Sequence, residues 1–233
     1  MDPAELELLL NHLQQARTFF EFGTGASTLH LANRSRHLYR MVSADPDKQW
    51  LNKVRNHPWL RNGSEHAPKR MRLLHTHIGM ISGFGFPVQN LSRCLHRGRL
   101  CRRPAAKQTR SECNNEMRCM RNGVGFRNWW PSFSQLVLDA AMHYKHGWDV
   151  VLVDSRFRTA CALKSLLAIK PEDISRSVVM IHDYSGRRPF YGEIERFANL
   201  EETAATLAVF RKRHDVDPAA LQNAIRAYEY DPM

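Results

Sequence analysis

Short apolar runs rich in β-branched and aromatic residues alternate along the chain with segments whose apolar positions recur every three or four residues. The first pattern is typical of strands and the second of amphipathic helices. Predicted strands are 18–22, 39–44, 71–77, 148–154, 177–181 and 206–211. Predicted helices are 3–15, 27–33, 49–57, 159–169, 190–200 and a last one from 218 onward. This alternation predicts an α/β fold of the Rossmann-like, doubly wound type, with a mostly parallel sheet and ligands at the carboxyl ends of the strands.

Polar residues mark where two of these helices begin. Asp2, Pro3 and Glu5 have the spacing of an N-cap, a first helical proline and a capping-box partner. Asp217 and Pro218 repeat the first two signals before the last helix. Both helices are therefore predicted to have well-defined first turns.

Positive charge is concentrated in one segment, residues 91–128. This segment holds ten of the 34 Lys and Arg residues and only two acidic residues, so it supplies most of the formal net charge of +11. It also holds four of the five cysteines, namely Cys94, Cys101, Cys113 and Cys119. Because its composition changes abruptly and it lacks periodicity, we interpret 91–128 as a basic insertion in a single domain that spans 1–233.

The insertion admits several interpretations. Four thiolates, with His96 in reserve, satisfy the tetrahedral coordination of zinc, although their spacing is not the paired C-x₂-C form. Disulfides are a second alternative, and a solvated loop without ligands is a third. The arginines suit phosphate groups, and Phe126 with the Trp129 and Trp130 pair offers faces for base stacking, so a nucleic-acid partner stays open.

The overall composition is that of a globular protein. Hydrophobic residues make up 43% and charged residues 24%, which argues against wholesale disorder. No apolar run approaches the ~20 residues of a membrane helix, and acidic residues stand where a signal peptide carries positive charge. We therefore expect a soluble protein, cytoplasmic by default, with no membrane partner.

The most informative stretch is 21–28, with the sequence EFGTGAST, at the end of the first predicted strand. Two glycines one residue apart allow a tight turn and close approach of a ligand, and the helix that follows offers free N–H groups. A dinucleotide fingerprint needs a third glycine where this chain has Thr28, which disfavours NAD. A Gly-Lys-Ser/Thr sequence is missing as well, so a P-loop is excluded.

An acid followed by Gly-x-Gly at this position is similar to motif I of class I S-adenosylmethionine-dependent methyltransferases. The resemblance continues in VSADP at 42–46, DVVLVDSRFRTACAL at 149–163 and VVMIHDY at 178–184. These look like a methyltransferase-like group whose fourth strand runs into Asp-Gly-Arg-x-Arg and whose fifth ends in His-Asp. The resemblance covers roughly 16–90 and 129–212. It implies S-adenosylmethionine as cofactor, with the glycines making room for its methionine portion and the leading acid fixing the loop or the amino group.

Cofactor contacts implied by this resemblance fall on the glycine turn and the second strand. They are Glu21, Gly23, Thr24, Gly25, Ala26, Ser27, Thr28, Ser43 and Asp45. The family usually has an acid at the end of strand two for the ribose hydroxyls, and the most natural alignment puts Ser43 there. Either Asp45 takes that role through a shifted turn, or ribose binding is weaker. Ser155 also departs from the pattern, because it replaces a glycine and leaves the backbone less freedom.

Three residues are candidates for the chemistry of methyl transfer, which needs positioning of the acceptor and, for a hydroxyl, removal of its proton. Asp154, His182 and Asp183 follow the fourth and fifth strands, where such a base would stand. Alternatively, His182 only orients a loop and the aspartates cap helices. No third ligand accompanies the carboxylate pair, so no metal is predicted. Aromatic residues at 84–87 and 129–131 form either an acceptor wall or ordinary packing.

Together these features predict S-adenosylmethionine-dependent methyl transfer to a small-molecule acceptor. Three alternatives stay open: a catalytically silent binding module with the same fold, a methyltransferase that acts on nucleic acid and uses the insertion as a phosphate clamp, and an enzyme with a different nucleotide cofactor, which Thr28 disfavours. Six strands are predicted where the class I fold usually has seven. The terminal antiparallel hairpin is therefore incomplete, or the prediction misses one strand.

Overall fold

A computed structural model describes residues 1–61, 71–79, 129–142 and 147–232. The predicted insertion 91–128 with its four cysteines, and the aromatic segment 84–87, lie outside the described residues. The described part of the chain forms a sheet with apolar cores on both of its faces.

Seven strands form the sheet. They are β1 (Thr18–Phe22), β2 (Arg40–Asp45), β3 (Met71–His75), β4 (Val150–Val153), β5 (Val178–Ile181), β6 (Ala198–Ala204) and β7 (Leu207–Lys212). Their order is β3-β2-β1-β4-β5-β7-β6, with β1 to β5 parallel and β7 antiparallel to both β5 and β6. The predicted doubly wound, mostly parallel sheet is confirmed. Because the strand order reverses between β1 and β4, a crevice is expected outside the carboxyl ends of these two strands.

The described helices cover the two faces of this sheet. They are α1 (Pro3–Leu13), α2 (Ala26–Arg34), α3 (Lys48–Arg55), α4 (Pro58–Arg61), α5 (Trp130–Met142), α6 (Arg158–Ala168), α7 (Arg188–Tyr191) and α8 (Pro218–Tyr228). Short 3₁₀ turns lie at Pro171–Asp173, Ser185–Arg187 and Gly192–Arg196. Among the described helices, none is both long and apolar enough to cross a membrane.

Side chains of β1 alternate between two cores. Phe20 and Phe22 join the core that α5, α6 and α8 cover, whereas Phe19 joins the core that α1 and α2 cover. Every residue of β1 is buried, as is typical of a central parallel strand with helices on both faces. Glu21 therefore lies on the same face as Phe19, beneath α2, and this alternation decides what its carboxylate contacts.

The predicted helix over 190–200 is wrong. The single-turn helix α7 and the 3₁₀ turn Gly192–Arg196 give way to strand β6, which pairs with β7. β6 is an edge strand with an exposed middle, and its Leu and Glu residues favour helix locally. Because pairing with β7 outweighs this propensity, the missing strand is found here and the antiparallel hairpin is complete.

Helix α5 is also absent from the sequence prediction. Its buried face carries Phe133, Val137 and Ala140, which have the spacing of a helix packed on one side. This helix begins directly after Trp129 and packs against the core that contains Phe20 and Phe22.

Candidate functional site

The glycine turn after β1 lies against the end of β4. Gly23 has a φ of 94°, and a Cβ at this position would lie 2.2 Å from the carbonyl oxygen of Asp154. Only glycine fits such a backbone conformation at such close approach. Gly25 differs, because a Cβ there would meet no atom within 4 Å. The turn is therefore packed on the sheet at its first glycine and open at its second.

Glu21 fixes this turn from inside the protein. Its fully buried carboxylate accepts hydrogen bonds from the hydroxyls of Ser27, Thr28 (2.5 Å) and Ser43 (2.9 Å). Thr28 Oγ1 in turn accepts the backbone N–H of Gly25 at 2.9 Å. Burial raises the pKa of Glu21 to about 7, although the three hydroxyls act in the opposite direction. The carboxylate thus shapes the turn through the first residues of α2.

Asp45 joins the same turn to the end of β2. Its Oδ2 accepts the backbone N–H of Thr24 at 3.0 Å and the Thr24 hydroxyl at 3.2 Å, while Oδ1 accepts the N–H of Asp47 at 2.8 Å. Burial raises the pKa of Asp45, and these hydrogen bonds partly offset it. Asp45 is the last residue of β2, whereas Ser43 lies inside the strand, fully buried, with its hydroxyl on Glu21. The acid at the end of this strand is therefore Asp45.

Trp50 borders the turn and was not among the residues predicted from the sequence. Its indole N–H donates to the carbonyl oxygen of Thr24 at 2.5 Å, and 41% of the residue is exposed. An aromatic residue in the first turn of the helix after strand two is the signal that could have pointed to it. The side chain offers a fixed, partly exposed aromatic surface beside the turn.

His182 lies between two carboxylates. Its Nδ1 is 3.0 Å from Asp154 Oδ1 and its Nε2 is 3.1 Å from Glu5 Oε2. The hydrogen bond with Asp154 chiefly raises the pKa of His182, burial lowers it, and the charges of Asp154, Glu5 and Asp183 add to the rise. Because a carboxylate only accepts hydrogen bonds, both ring nitrogens must donate, and the arrangement suits a protonated His182 ring, an imidazolium.

Arg158 lies behind the two aspartates. Its Nη2 is 3.3 Å from Asp154 Oδ1 and 3.1 Å from Asp183 Oδ2, and its Nη1 donates to the Tyr191 hydroxyl at 3.3 Å. Only 5% of the Arg158 side chain is exposed, compared with about a third of each aspartate. Asp183 itself has a φ of 59° in the left-handed region. A ligand that reaches this edge therefore meets the carboxylates before the guanidinium.

Glu5 is the third acid of this group and comes from α1. Its Oε1 accepts the backbone N–H of Thr206 at 2.9 Å and the Thr206 hydroxyl at 2.6 Å, and its Oε2 accepts the N–H of Asp2 at 2.7 Å. Burial works against ionisation, but the hydrogen bonds from Thr206 and Asp2 outweigh it and lower the pKa of Glu5 to about 2. The sequence showed Glu5 only as a capping-box residue; its contact with His182 spans 177 positions along the chain.

The structure brings the predicted site residues together in two adjacent groups. The turn group holds Glu21, Gly23, Thr24, Gly25, Ser27, Thr28, Ser43 and Asp45, and the second group holds Asp154, His182 and Asp183. They meet where Gly23 packs on the backbone of Asp154. Ala26 is exposed at the first position of α2. Among the described residues, no group of three or more His, Cys, Asp and Glu side chains could hold a metal ion.

A separate cavity of about 560 Å³ lies at the opposite, amino edge of the sheet. Arg17, Asp149 and Arg176, which precede β1, β4 and β5, are among its lining residues, as is Arg211. Arg176 is 2.8 Å from Asp173, and Arg211 donates to the carbonyl of Ser175 at 2.6 Å. Most of the positive charge that lines the cavity is therefore already paired with groups of the protein itself.

A solved structure of another protein shares this arrangement of strands and helices. A methyltransferase-like protein from Silicibacter pomeroyi DSS-3 superimposes with a TM-score of 0.69 at 24% sequence identity, covering 100% of this chain and 96% of that one. The described strand order and this likeness show that the chain has the fold of class I methyltransferases.

Other matches are looser. The O-methyltransferase from Bacillus cereus in complex with SAH aligns at a TM-score of 0.41 and 14% identity, covering 91% of this chain and 82% of that one. Human methyltransferase-like protein 13 in complex with SAH aligns at 0.39 and 12% identity, over 97% and 87%. These two likenesses are too distant to bear on function. No family model matches the sequence, and no curated protein matches it.

Proposed function

We propose that this protein is an S-adenosylmethionine-dependent methyltransferase with a small-molecule acceptor. The observation that carries the proposal is the glycine turn, which is packed on β4 at Gly23 and open at Gly25, at the point where the strand order reverses. This is where doubly wound sheets bind their ligands. The likeness in fold to a methyltransferase-like protein supports the same reading.

The residues around the turn fit such a cofactor. Gly25 leaves space that a side chain would fill, and the first N–H groups of α2 lack partners within the helix. Asp45 stands at the end of β2 with a carboxylate that suits ribose hydroxyls, and Trp50 offers an aromatic surface next to it. Glu21 is enclosed by hydroxyls, so we assign it to shaping the turn rather than to touching the cofactor.

Asp154 is the residue to which we assign contact with the acceptor. S-adenosylmethionine, when bound, supplies an electrophilic methyl group on a positively charged sulfur. His182 and Arg158 both hold Oδ1 of Asp154, and Oδ2 has no hydrogen-bond partner among the described residues. A carboxylate oxygen without a hydrogen-bond partner can accept a hydrogen bond, and then a proton, from a hydroxyl or amine of the methyl acceptor. His182 has both ring nitrogens on carboxylates, so we assign it to positioning rather than to proton removal.

Calorimetric titration with S-adenosylmethionine and S-adenosylhomocysteine tests the proposal. We expect saturable binding to the wild type and its loss in Gly25→Arg, because the new side chain occupies the open part of the turn. Gly192→Arg is the matched control: Gly192 is exposed, its Cβ would also meet no atom within 4 Å, and it lies outside the turn. A folded wild type that binds neither compound, or a Gly25→Arg variant that binds like the control, contradicts the proposal.

A further inference from the structure

The Glu5 carboxylate ties three parts of the fold together at the carboxyl edge. It accepts hydrogen bonds from Asp2, the N-cap of α1, from Thr206 between β6 and β7, and from His182 after β5. Its side chain is 2% exposed. A carboxylate with four donors and almost no water is held in one orientation, and every donor favours its charged form.

His182 passes this constraint on to Asp154. The imidazole is rigid, and with Nε2 fixed on Glu5 its Nδ1 meets Asp154 Oδ1 at 3.0 Å. Arg158 reaches the same oxygen from α6. Because both donors hold Oδ1, the rotation of the carboxylate is fixed and Oδ2 is the oxygen left without a partner among the described residues. The backbone N–H of Asp154 donates to Phe22 at 2.9 Å, so β1 holds the main chain while His182 and Arg158 orient the side chain.

We propose that Glu5 is a positioning residue that acts through His182: a carboxylate–imidazolium–carboxylate relay makes the orientation of Asp154 depend on the docking of helix α1. This inference goes beyond the fold and the cofactor turn, and the part that concerns cofactor affinity rests on the proposed function. The relay is defined by Glu5, His182 and Asp154.

Helix docking alone does not require the relay. Leu9 and Leu13 of α1 are 0% and 1% exposed in the apolar core, and the two hydrogen bonds from Thr206 already fasten Glu5 to the hairpin. Asp2 and Glu5 complete the capping box without His182. The bond from His182 therefore adds a link to the site that neither packing nor capping of α1 needs.

The charges around His182 favour its protonated form. Glu5 faces it from α1, Asp154 from the end of β4, and Asp183 lies 3.6 Å away on its own segment. Arg158 of α6 contacts both aspartates rather than the ring. Three carboxylates against one guanidinium leave a net negative surrounding, which stabilises an imidazolium. The pKa of His182 is raised accordingly, with the Asp154 hydrogen bond as the largest cause.

Nitrogen-15 NMR of the histidine side chains tests the relay without any cofactor, with His182→Gln serving to assign the signals. We expect both ring nitrogens of His182 to be protonated in the wild type at neutral pH. In Glu5→Gln, which keeps the size of the side chain and removes its charge, the titration midpoint should fall by about one pH unit. Glu5→Asp retains the charge and should recover part of this shift.

Glu202→Gln is the matched control. Glu202 also pairs with a histidine, His12 of α1, at 3.1 Å, and its substitution by Gln removes the same charge. This pair is on the surface and does not reach Asp154. The His182 midpoint should stay at its wild-type value in this variant. A neutral His182 ring in the wild type at neutral pH, or equal midpoints in Glu5→Gln and Glu202→Gln, overturns the relay. The protonation state of His182 in the wild type is decided even if Glu5→Gln does not fold, because it needs only the wild-type spectrum.

Binding of S-adenosylhomocysteine then tests the consequence for the site. We expect Glu5→Gln to bind about tenfold more weakly than the wild type, since the carboxylate of Asp154, the residue that packs on Gly23, is then oriented less firmly by His182. Glu202→Gln should bind like the wild type. If the two variants bind equally, the link from α1 to the cofactor turn is wrong. If the wild type itself does not bind, the proposed function fails, and the NMR result still decides the relay.

Discussion

The Glu21 carboxyl is buried more completely than any other acid of the site, and its environment is made of hydroxyls rather than cations. Ser27, Thr28 and Ser43 all donate to it, and Asp154 adds an unfavourable charge. Hydroxyls stabilise a carboxylate less than a paired cation does, so burial dominates and the pKa rises to about 7. The group that shapes the turn therefore changes charge near neutral pH.

This shift has a consequence for stability. Because the pKa of Glu21 is raised in the folded state above its ordinary value of 4.5, the folded protein binds the proton more tightly than the unfolded chain. The resulting stabilisation is fully present below about pH 4.5 and is lost as pH rises through about 7. In Glu21→Gln this loss should disappear. Between about pH 5 and pH 8 the free energy of unfolding should therefore fall by roughly 3 kcal/mol more in the wild type than in the variant.

Denaturant unfolding at several pH values measures this difference. Glu172→Gln serves as control, because Glu172 is an exposed carboxyl in the 3₁₀ turn Pro171–Asp173. The control should follow the wild-type pH dependence. A constant stability difference between Glu21→Gln and the wild type over this range would show that Glu21 does not titrate there.

For individual residues, the sequence identified which side chains lie at the site but not which distant residues they contact. The spacing of Glu21, Gly23 and Gly25 was visible, because their neighbours lie within a few positions. Glu5 was recognisable only as a capping residue, since its contact with His182 depends on how α1 docks 177 positions away. A contact of that kind follows from tertiary packing, and no local pattern encodes it.

The strand β1, the glycine turn and α2 form one element, which packs on the segment after β4. Gly23 is the contact point, with a positive φ and no room for a Cβ beside the Asp154 carbonyl. Gly25 has an extended φ of 179° and open space around it. The two glycines therefore serve different purposes, the first in packing and the second in leaving a cleft open.

Alanine substitution separates these two roles. Gly23→Ala should lower the free energy of unfolding by at least about 2 kcal/mol, because it combines backbone strain with a steric clash. Gly25→Ala should change it by less than about 1 kcal/mol, since alanine adopts an extended backbone without strain. Thermal and denaturant unfolding measure both. Equal effects of the two substitutions would show that the turn does not pack as described.

Among the strands, local patterns predicted the buried ones and failed for the exposed one. Strands β1, β4 and β5 are apolar and buried on both faces, so their sequences identify them. Edge strand β6 exposes most of its residues and shows a register shift between Leu200 and Glu202, which removes the alternation that marks a strand. Its conformation is decided by its partner β7.

The order of the strands brings the ends of β1, β4 and β5 to one edge of the molecule, and the turn group and the relay meet there. The alternation of strands and helices was enough to predict this architecture, and the seven-stranded sheet confirms it. The prediction of a basic insertion over 91–128 concerns residues outside the described part of the chain. Zinc binding, disulfides and nucleic-acid binding by this segment stay alternatives that no described residue tests.

A crystal structure of the protein with S-adenosylhomocysteine tests the central claim most directly. We predict the nucleoside at the carboxyl edge, with its methionine portion at Gly23–Gly25, its ribose hydroxyls within hydrogen-bond distance of Asp45, and Asp154 beside the sulfur. Density instead in the amino-edge cavity next to Arg17, or no bound nucleoside in crystals grown at saturating concentration, would contradict the account.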